Sequence, residues 1–87
     1  MEEVKIETHQ GEAIYEAIRE RLGEDVLQVY FLMEIFLEDQ FGRIQIISEP
    51  YELEDGTKGL ECLLVSPCIF RFEIVKTLEG KVQLIEK

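Results

Sequence analysis

The sequence predicts an α+β domain of two layers, with two helices packed on one face of a mostly antiparallel sheet of four to six strands. Three observations carry that prediction. The chain has 87 residues, which is the length of a single domain spanning 1–87. Its apolar residues recur with a helical period before Gly42 and with a period of two after it. Turn signals then divide the second half into short runs that read as hairpin-connected strands. A hydrophobic fraction of 46% is too high for a disordered chain and implies a core.

Taken in order, Val4 and Ile6 alternate with Lys5 and Glu7, the pattern of a short strand. Thr8 is placed to cap a helix. The stretch GEAIYEAIRERLG then sets Ile14, Ala17, Ile18 and Leu22 on one stripe, with Gly23 as the stop. Glu24 and Asp25 follow, acids of the kind a helix N-terminus favours. The next segment, VLQVYFLMEIFLEDQF, has an ambiguous period. As a helix it places Val26, Val29, Tyr30, Met33, Phe36 and Leu37 in a core stripe, but leaves Leu27, Phe31 and Ile35 on or near the polar arc. As a strand it has one wholly apolar face. Its length, about sixteen residues without a turn signal, favours helix.

Beyond Gly42, residues 43–49 form a β-branched run expected to end at Pro50, and Tyr51 and Leu53 alternate with Glu52 and Glu54. Asp55-Gly56 is a turn signal. Residues 60–65 read as a strand closed by Ser66-Pro67. Residues 69–76 read as the next, with Phe70, Phe72 and Ile74 on one face against Arg71 and Glu73. Glu79-Gly80 turns the chain into residues 82–85.

Nineteen acids face nine bases, and the net charge is −10. Direct binding to nucleic acid relies on Lys and Arg neutralising phosphates, so this balance argues against it. It argues equally against docking on an anionic membrane. The charge is uneven: residues 1–57 hold fifteen acids and four bases, and residues 58–87 hold four acids and five bases. The N-terminus lacks the basic and apolar regions of a signal peptide, and residues 26–37 are too short to span a membrane. The expected compartment is the cytoplasm, with Cys62 and Cys68 reduced.

The acids invite a metal. The run YELEDGTKGLEC resembles a calcium loop, but with Gly56 at its sixth position the first, third and twelfth ligands would be Tyr51, Leu53 and Cys62, so it is not an EF-hand. A different site is suggested by helix electrostatics. Glu34 and Glu38 form a like-charge pair four residues apart. Glu38 and Asp39 stand at a helix C-terminus, where the dipole disfavours anions by roughly 0.3–1 kcal/mol each. A bound cation would reverse that penalty, and Glu54 and Asp55 could approach from the turn. Glu34, Glu38, Asp39, Glu54 and Asp55 are therefore the expected ligands of a weak calcium or magnesium site. The competing explanation is that these acids are simply solvated.

Other chemistry has little to stand on. Cys62 and Cys68 have five residues between them, and the only histidine is His9, which does not make a zinc site. If Ser66-Pro67 is a two-residue turn, Cys62 opposes Arg71, and the two thiols are not cross-strand partners. There is no G-x-S-x-G and no Gly-rich phosphate loop. The apolar surplus of the second helix is more informative. A helix apolar nearly all round is either buried or an interface, and Leu27, Phe31 and Ile35 could meet a second copy or a partner helix.

In its paired helices, its GEAIYEAIRERLGED start and the acids of EIFLEDQFG and YELEDG, the chain resembles a class of small acidic proteins from methanogenic archaea. That resemblance implies an α+β fold and an acidic surface pocket associated with calcium, and assigns no individual residue. The expected function is therefore a non-enzymatic binding protein with a weak divalent-cation site on its acidic surface. The alternative is a protein-interaction or regulatory module. It would be homodimeric through the second helix, or bind a basic protein partner, in the limit as an acidic nucleic-acid mimic.

Overall fold

A computed structural model describes residues 12–87 of the chain. The strand expected at Val4 and Ile6, the cap at Thr8 and His9 lie outside the described residues. Two helices, α1 (Glu12–Arg21) and α2 (Glu24–Phe41), precede four strands, β1 (Gln45–Glu52), β2 (Lys58–Ser66), β3 (Phe70–Lys76) and β4 (Val82–Glu86). The strands form one antiparallel meander in the order β1-β2-β3-β4, and both helices pack against the sheet. The α+β class and the two-layer arrangement are those expected from the change of period at Gly42.

Local chemistry explains the helix boundary. Gly23 stands between α1 and α2 with φ +110°, a conformation in which a side chain is strained. A Cβ there would also lie 2.9 Å from Asp25 Oδ1 and 3.0 Å from Lys76 Nζ. Those two atoms are the clamp that holds the junction. Lys76 Nζ of β3 donates to the Leu22 carbonyl and to Asp25 Oδ1, each at 3.1 Å. Asp25 Oδ1 also accepts the Val26 N–H at 2.8 Å. Burial is the largest single influence on the Asp25 carboxyl and raises its pKa, but the contacts with Lys76 and the Val26 amide together outweigh it, and the carboxyl sits below its ordinary value.

The core lies between the helices and the inward face of the sheet. It is built from Ile14, Ile18 and Leu22 of α1, Val26, Leu27, Tyr30, Met33 and Leu37 of α2, and Leu60, Cys62, Leu64, Phe72 and Ile74 of the central strands. The stripe expected on α1 is the one buried, with Ala17 half-buried. On α2 the covered arc is rotated from the expectation: Leu27 is fully buried and Phe36 is exposed. The reason is α1, which lies beside α2 as well as over the sheet. Tyr15 of α1 packs against Phe31 with the rings tilted (centroids 4.7 Å apart) and meets Tyr30 edge-on at 6.3 Å. The buried arc therefore extends from the sheet side round to the α1 side, and Phe36 falls outside it.

Two strand expectations are corrected. β1 does not end at Pro50 but runs on to Glu52, which an edge strand permits because the missing N–H faces away from the ladder. Nor is Ser66-Pro67 a two-residue turn: Leu64 and Phe70 are the last paired residues, and Cys62 pairs with Phe72 rather than Arg71. Register follows the faces. Cys62 and Phe72 both point inward, and a one-residue slip would set inward Cys62 against outward Arg71.

Candidate functional site

The five carboxylates expected to bind a cation do not come together. Glu34 is half-buried between the helices, where the Tyr15 hydroxyl donates to its Oε1 at 2.8 Å. Burial raises the Glu34 pKa; the Tyr15 bond opposes that and nearby Glu38 adds to it, leaving the carboxyl above its ordinary value. The same contact, with burial as its larger partner, pushes the Tyr15 hydroxyl up to about 12. Glu38 and Asp39 are exposed at the end of α2. Glu54 is exposed in the β1–β2 turn, and Asp55 Oδ1 there accepts the Thr57 N–H at 2.9 Å.

The separation has a simple cause. β1 carries the chain eight residues, or about 26 Å at roughly 3.3 Å per residue, back along α2. The turn that follows it lies beside the start of α2, where Gly56 and Leu22 line the same small cleft. Glu38 and Asp39 are at the other end. Among the described residues no group of three or more His, Cys, Asp or Glu side chains is arranged to hold a metal ion.

Two other surfaces stand out. The first is the solvent side of α2. Leu32, Ile35 and Phe36 are 66%, 61% and 54% exposed, values that place three large apolar side chains within one turn of helix in water. Leu32 and Ile35 lie opposite the buried arc, with Gln28 and Asp39 continuing the ridge at either end. Of the three residues expected at an interface, Ile35 belongs to this ridge, whereas Leu27 is core and Phe31 is half-buried against Tyr15. Leu32 was not expected. Its position one turn before Ile35 and Phe36 is the signal that identifies it.

The second surface is the face of the sheet turned away from the helices. Its side chains form rows across the strands. Glu49, Glu61, Glu73 and Ile85 make one row, each directly opposite the next. Ile47, Leu63 and Arg71 make the adjacent row, continued by Lys87, whose N–H donates to the Arg71 carbonyl at 3.1 Å. A groove of about 290 Å³ runs between these rows. Glutamates directly opposite one another repel. Glu73 escapes this because Lys87 Nζ is 2.8 Å from its Oε1 and the Tyr51 hydroxyl donates to its Oε2. The Lys87 contact and then the Tyr51 bond hold its carboxyl below the ordinary range, although the residue is only 8% exposed. Tyr51 reaches Glu73 by lying across Gly59, its cross-strand partner. Neither this network nor the row of glutamates was anticipated, because both depend on register.

The two thiols are free and differ in access: Cys62 is buried and Cys68 exposed. Burial pushes the Cys62 thiol up to about 12, which removes it as a nucleophile at neutral pH. Among the described residues no helix is long and apolar enough to cross a membrane. Comparisons with protein-family models, with curated proteins and with solved structures found no match.

Proposed function

We infer that this chain is a non-enzymatic protein-interaction module whose second helix is a docking ridge. The observation that carries this reading is the trio Leu32, Ile35 and Phe36, exposed on one face of a helix whose opposite face is core. Scattered apolar residues on a surface need no explanation, but a contiguous apolar ridge rimmed by polar residues marks a binding surface. The partner that fits is an apolar groove or helix of another protein, with basic residues around it to meet Glu38 and Asp39 at the ridge's end. Such a module works in a reducing compartment such as the cytoplasm, where both free thiols persist.

The cation-binding reading draws less support, since Glu34 is engaged by Tyr15 and the two outer pairs of acids stand at opposite ends of α2. Calcium titration followed by amide shifts around Glu38 and Asp39 tests it directly.

The docking reading is tested with a photo-crosslinking residue at Ile35 in the native host, and a control at exposed Glu79. A discrete adduct at Ile35, lost when Phe36→Lys is added and not formed at Glu79, is the expected result. Equal labelling at both positions, or no adduct at Ile35, refutes the reading.

A further inference from the structure

We propose that the open edge of β4 is a docking strand, which takes an extended segment of a partner protein as a fifth strand of the sheet. The segment it fits runs antiparallel to β4 and carries a basic residue and then two apolar residues at alternate positions. The helix ridge is not involved, so this goes beyond the docking function argued above.

The two edges of the sheet are built differently. Among the described residues β1 pairs only with β2, and β4 only with β3. In an antiparallel ladder, alternate residues turn their N–H and C=O toward the neighbouring strand, and the residues between them turn theirs away. Beside β1, the Leu53 N–H donates to the Thr57 carbonyl, so Tyr51 and Glu49 are bonded positions and Pro50 lies at the open edge. Pro50 has no N–H to offer there, and a register shift between Gln45 and Ile46 disturbs the start of the strand. Both features blunt an edge against further pairing. Beside β4, the Thr77 N–H donates to the Lys81 carbonyl and the Lys87 N–H to the Arg71 carbonyl. Lys81, Gln83, Ile85 and Lys87 are therefore bonded to the β3 side, and Val82, Leu84 and Glu86 turn their main-chain groups outward. No proline and no register shift interrupts them. Only another extended chain can meet such a row, and strand addition is a recurrent mode of peptide recognition.

The side chains of the same three residues define the segment. Val82, Leu84 and Glu86 pair with Lys76, Ile74 and Phe72, which sets their side chains on the helix side of the sheet. Leu60, Ile74 and Leu84 form one row across the strands; the first two are 0% exposed and Leu84 is 43% exposed. Leu84 is thus the end of a core row, with no strand beyond it among the described residues. An added strand covers Leu84 and half-buried Val82 with apolar residues of its own. Glu86 is exposed and makes no ion pair among the described residues, so the residue set opposite it is basic. Read antiparallel to β4, the order is basic-x-apolar-x-apolar.

A second copy of the chain does not supply this pattern. Self-pairing centred on Leu84 is the register that engages all three outward residues. It sets each Val82 against the other copy's Glu86, and each Lys81 against the other copy's Lys87. The net charge of −10 opposes it further.

The probe is a capped synthetic heptapeptide, TKTVTVT, added to the full chain at up to about 1 mM, with amide hydrogen exchange read by NMR. The expected result is saturable slowing, about fivefold or more, at the Val82, Leu84 and Glu86 amides. The Ser48 and Glu52 amides of β1 should not change. Glu86→Lys, at an exposed position, should weaken TKTVTVT about tenfold and bind TETVTVT in its place. Absence of saturable slowing at the three β4 amides overturns the proposal. So does slowing at β1 instead, or binding that Glu86→Lys leaves unchanged. Changes centred on Leu32 and Ile35 would assign the peptide to the helix ridge and also overturn it. If the three amides are already slow in the free, dilute chain, the edge is covered by the chain itself. If they slow only as chain concentration rises, the occupant is a second copy; either result overturns the proposal.

Discussion

Gly59 should not tolerate alanine, although replacing a strand glycine with alanine ordinarily gains roughly 0.5–1 kcal/mol of backbone entropy. The obstacle is Tyr51. A Cβ on Gly59 would lie 2.3 Å from both Cζ and Oη of the Tyr51 ring, far inside van der Waals contact. The backbone is paired on both sides, to Tyr51 in β1 and Val75 in β3, so it cannot retreat. If the ring stays, the site is overpacked at a cost of about 1–3 kcal/mol. If it swings into solvent, Tyr51 loses the bond to Glu73, and a hydrogen bond to a charged group contributes about 1.5–3 kcal/mol. That figure is reduced here, because Tyr51 is half-exposed and Lys87 still holds Glu73. Set against the entropy gain, either route leaves Gly59→Ala destabilised by about 1–2 kcal/mol, or a fall of roughly 4–16 °C in melting temperature for a domain this size. Urea unfolding of Gly59→Ala, Tyr51→Ala and the double variant measures it. In the Tyr51→Ala background the alanine at position 59 should become neutral or stabilising, and the cycle should report coupling of at least about 1 kcal/mol. A Gly59→Ala protein as stable as the parent, or a cost unchanged when Tyr51 is absent, would refute the steric account.

Two carboxylates should give pH dependences of opposite sign. Glu73 has its folded pKa held below the ordinary value, so it contributes stability above that value and loses it as pH falls through the folded pKa. Glu73→Gln should therefore be less stable at pH 7, and acid titration of its melting temperature should be flatter below about pH 4.5, the ordinary glutamate value. Glu34 has its folded pKa raised, so its ionised form is the less favourable one in the fold. Glu34→Gln keeps an oxygen for Tyr15 and relieves the repulsion with Glu38, so it should gain a few tenths of a kcal/mol at pH 7. The gain should vanish as pH falls below the ordinary glutamate range. Alkylation followed by mass spectrometry should modify Cys68 at once. Cys62 should react more slowly by at least about a thousandfold, because its thiol is reached only through unfolding. Comparable rates would mean that the sheet opens locally at β2.

The elements were legible because each has a clean period or an unambiguous boundary. Ile14, Ile18 and Leu22 announce α1, and Phe70, Phe72 and Ile74 announce β3, since each set shares one face at its own period. The rotation of α2 was not legible. A helix apolar nearly all round carries no preferred face, so its buried arc is chosen by what packs on it. Here α1 covers the Leu27 and Phe31 side through Tyr15 and leaves Leu32, Ile35 and Phe36 in water. The same ambiguity that blurred helix against strand in this segment is the property that makes it a docking surface. Residues that serve the core on one side of α2 have counterparts on the other side for which the described residues supply no second layer.

For the acids, nearness in sequence misled and register decided. Glu38 and Asp39 are separated from Glu54 and Asp55 by little more than one strand, and it was reasonable to expect them to meet. That strand is what parts them: an eight-residue β1 laid antiparallel to α2 delivers its turn to the far end of the helix. Glu49, Glu61 and Glu73 are twelve residues apart in steps and carry no motif, yet the meander sets them side by side, because each is an outward position paired in register with the next. Such a row is unfavourable unless something answers it. At one end Lys87 and Tyr51 do so within the chain. At the other, Glu49 and Glu61 make no ion pair among the described residues, although Glu61 feels the charge of Lys87 across the row. The acidity of the helices and turns can be accounted for by solvation.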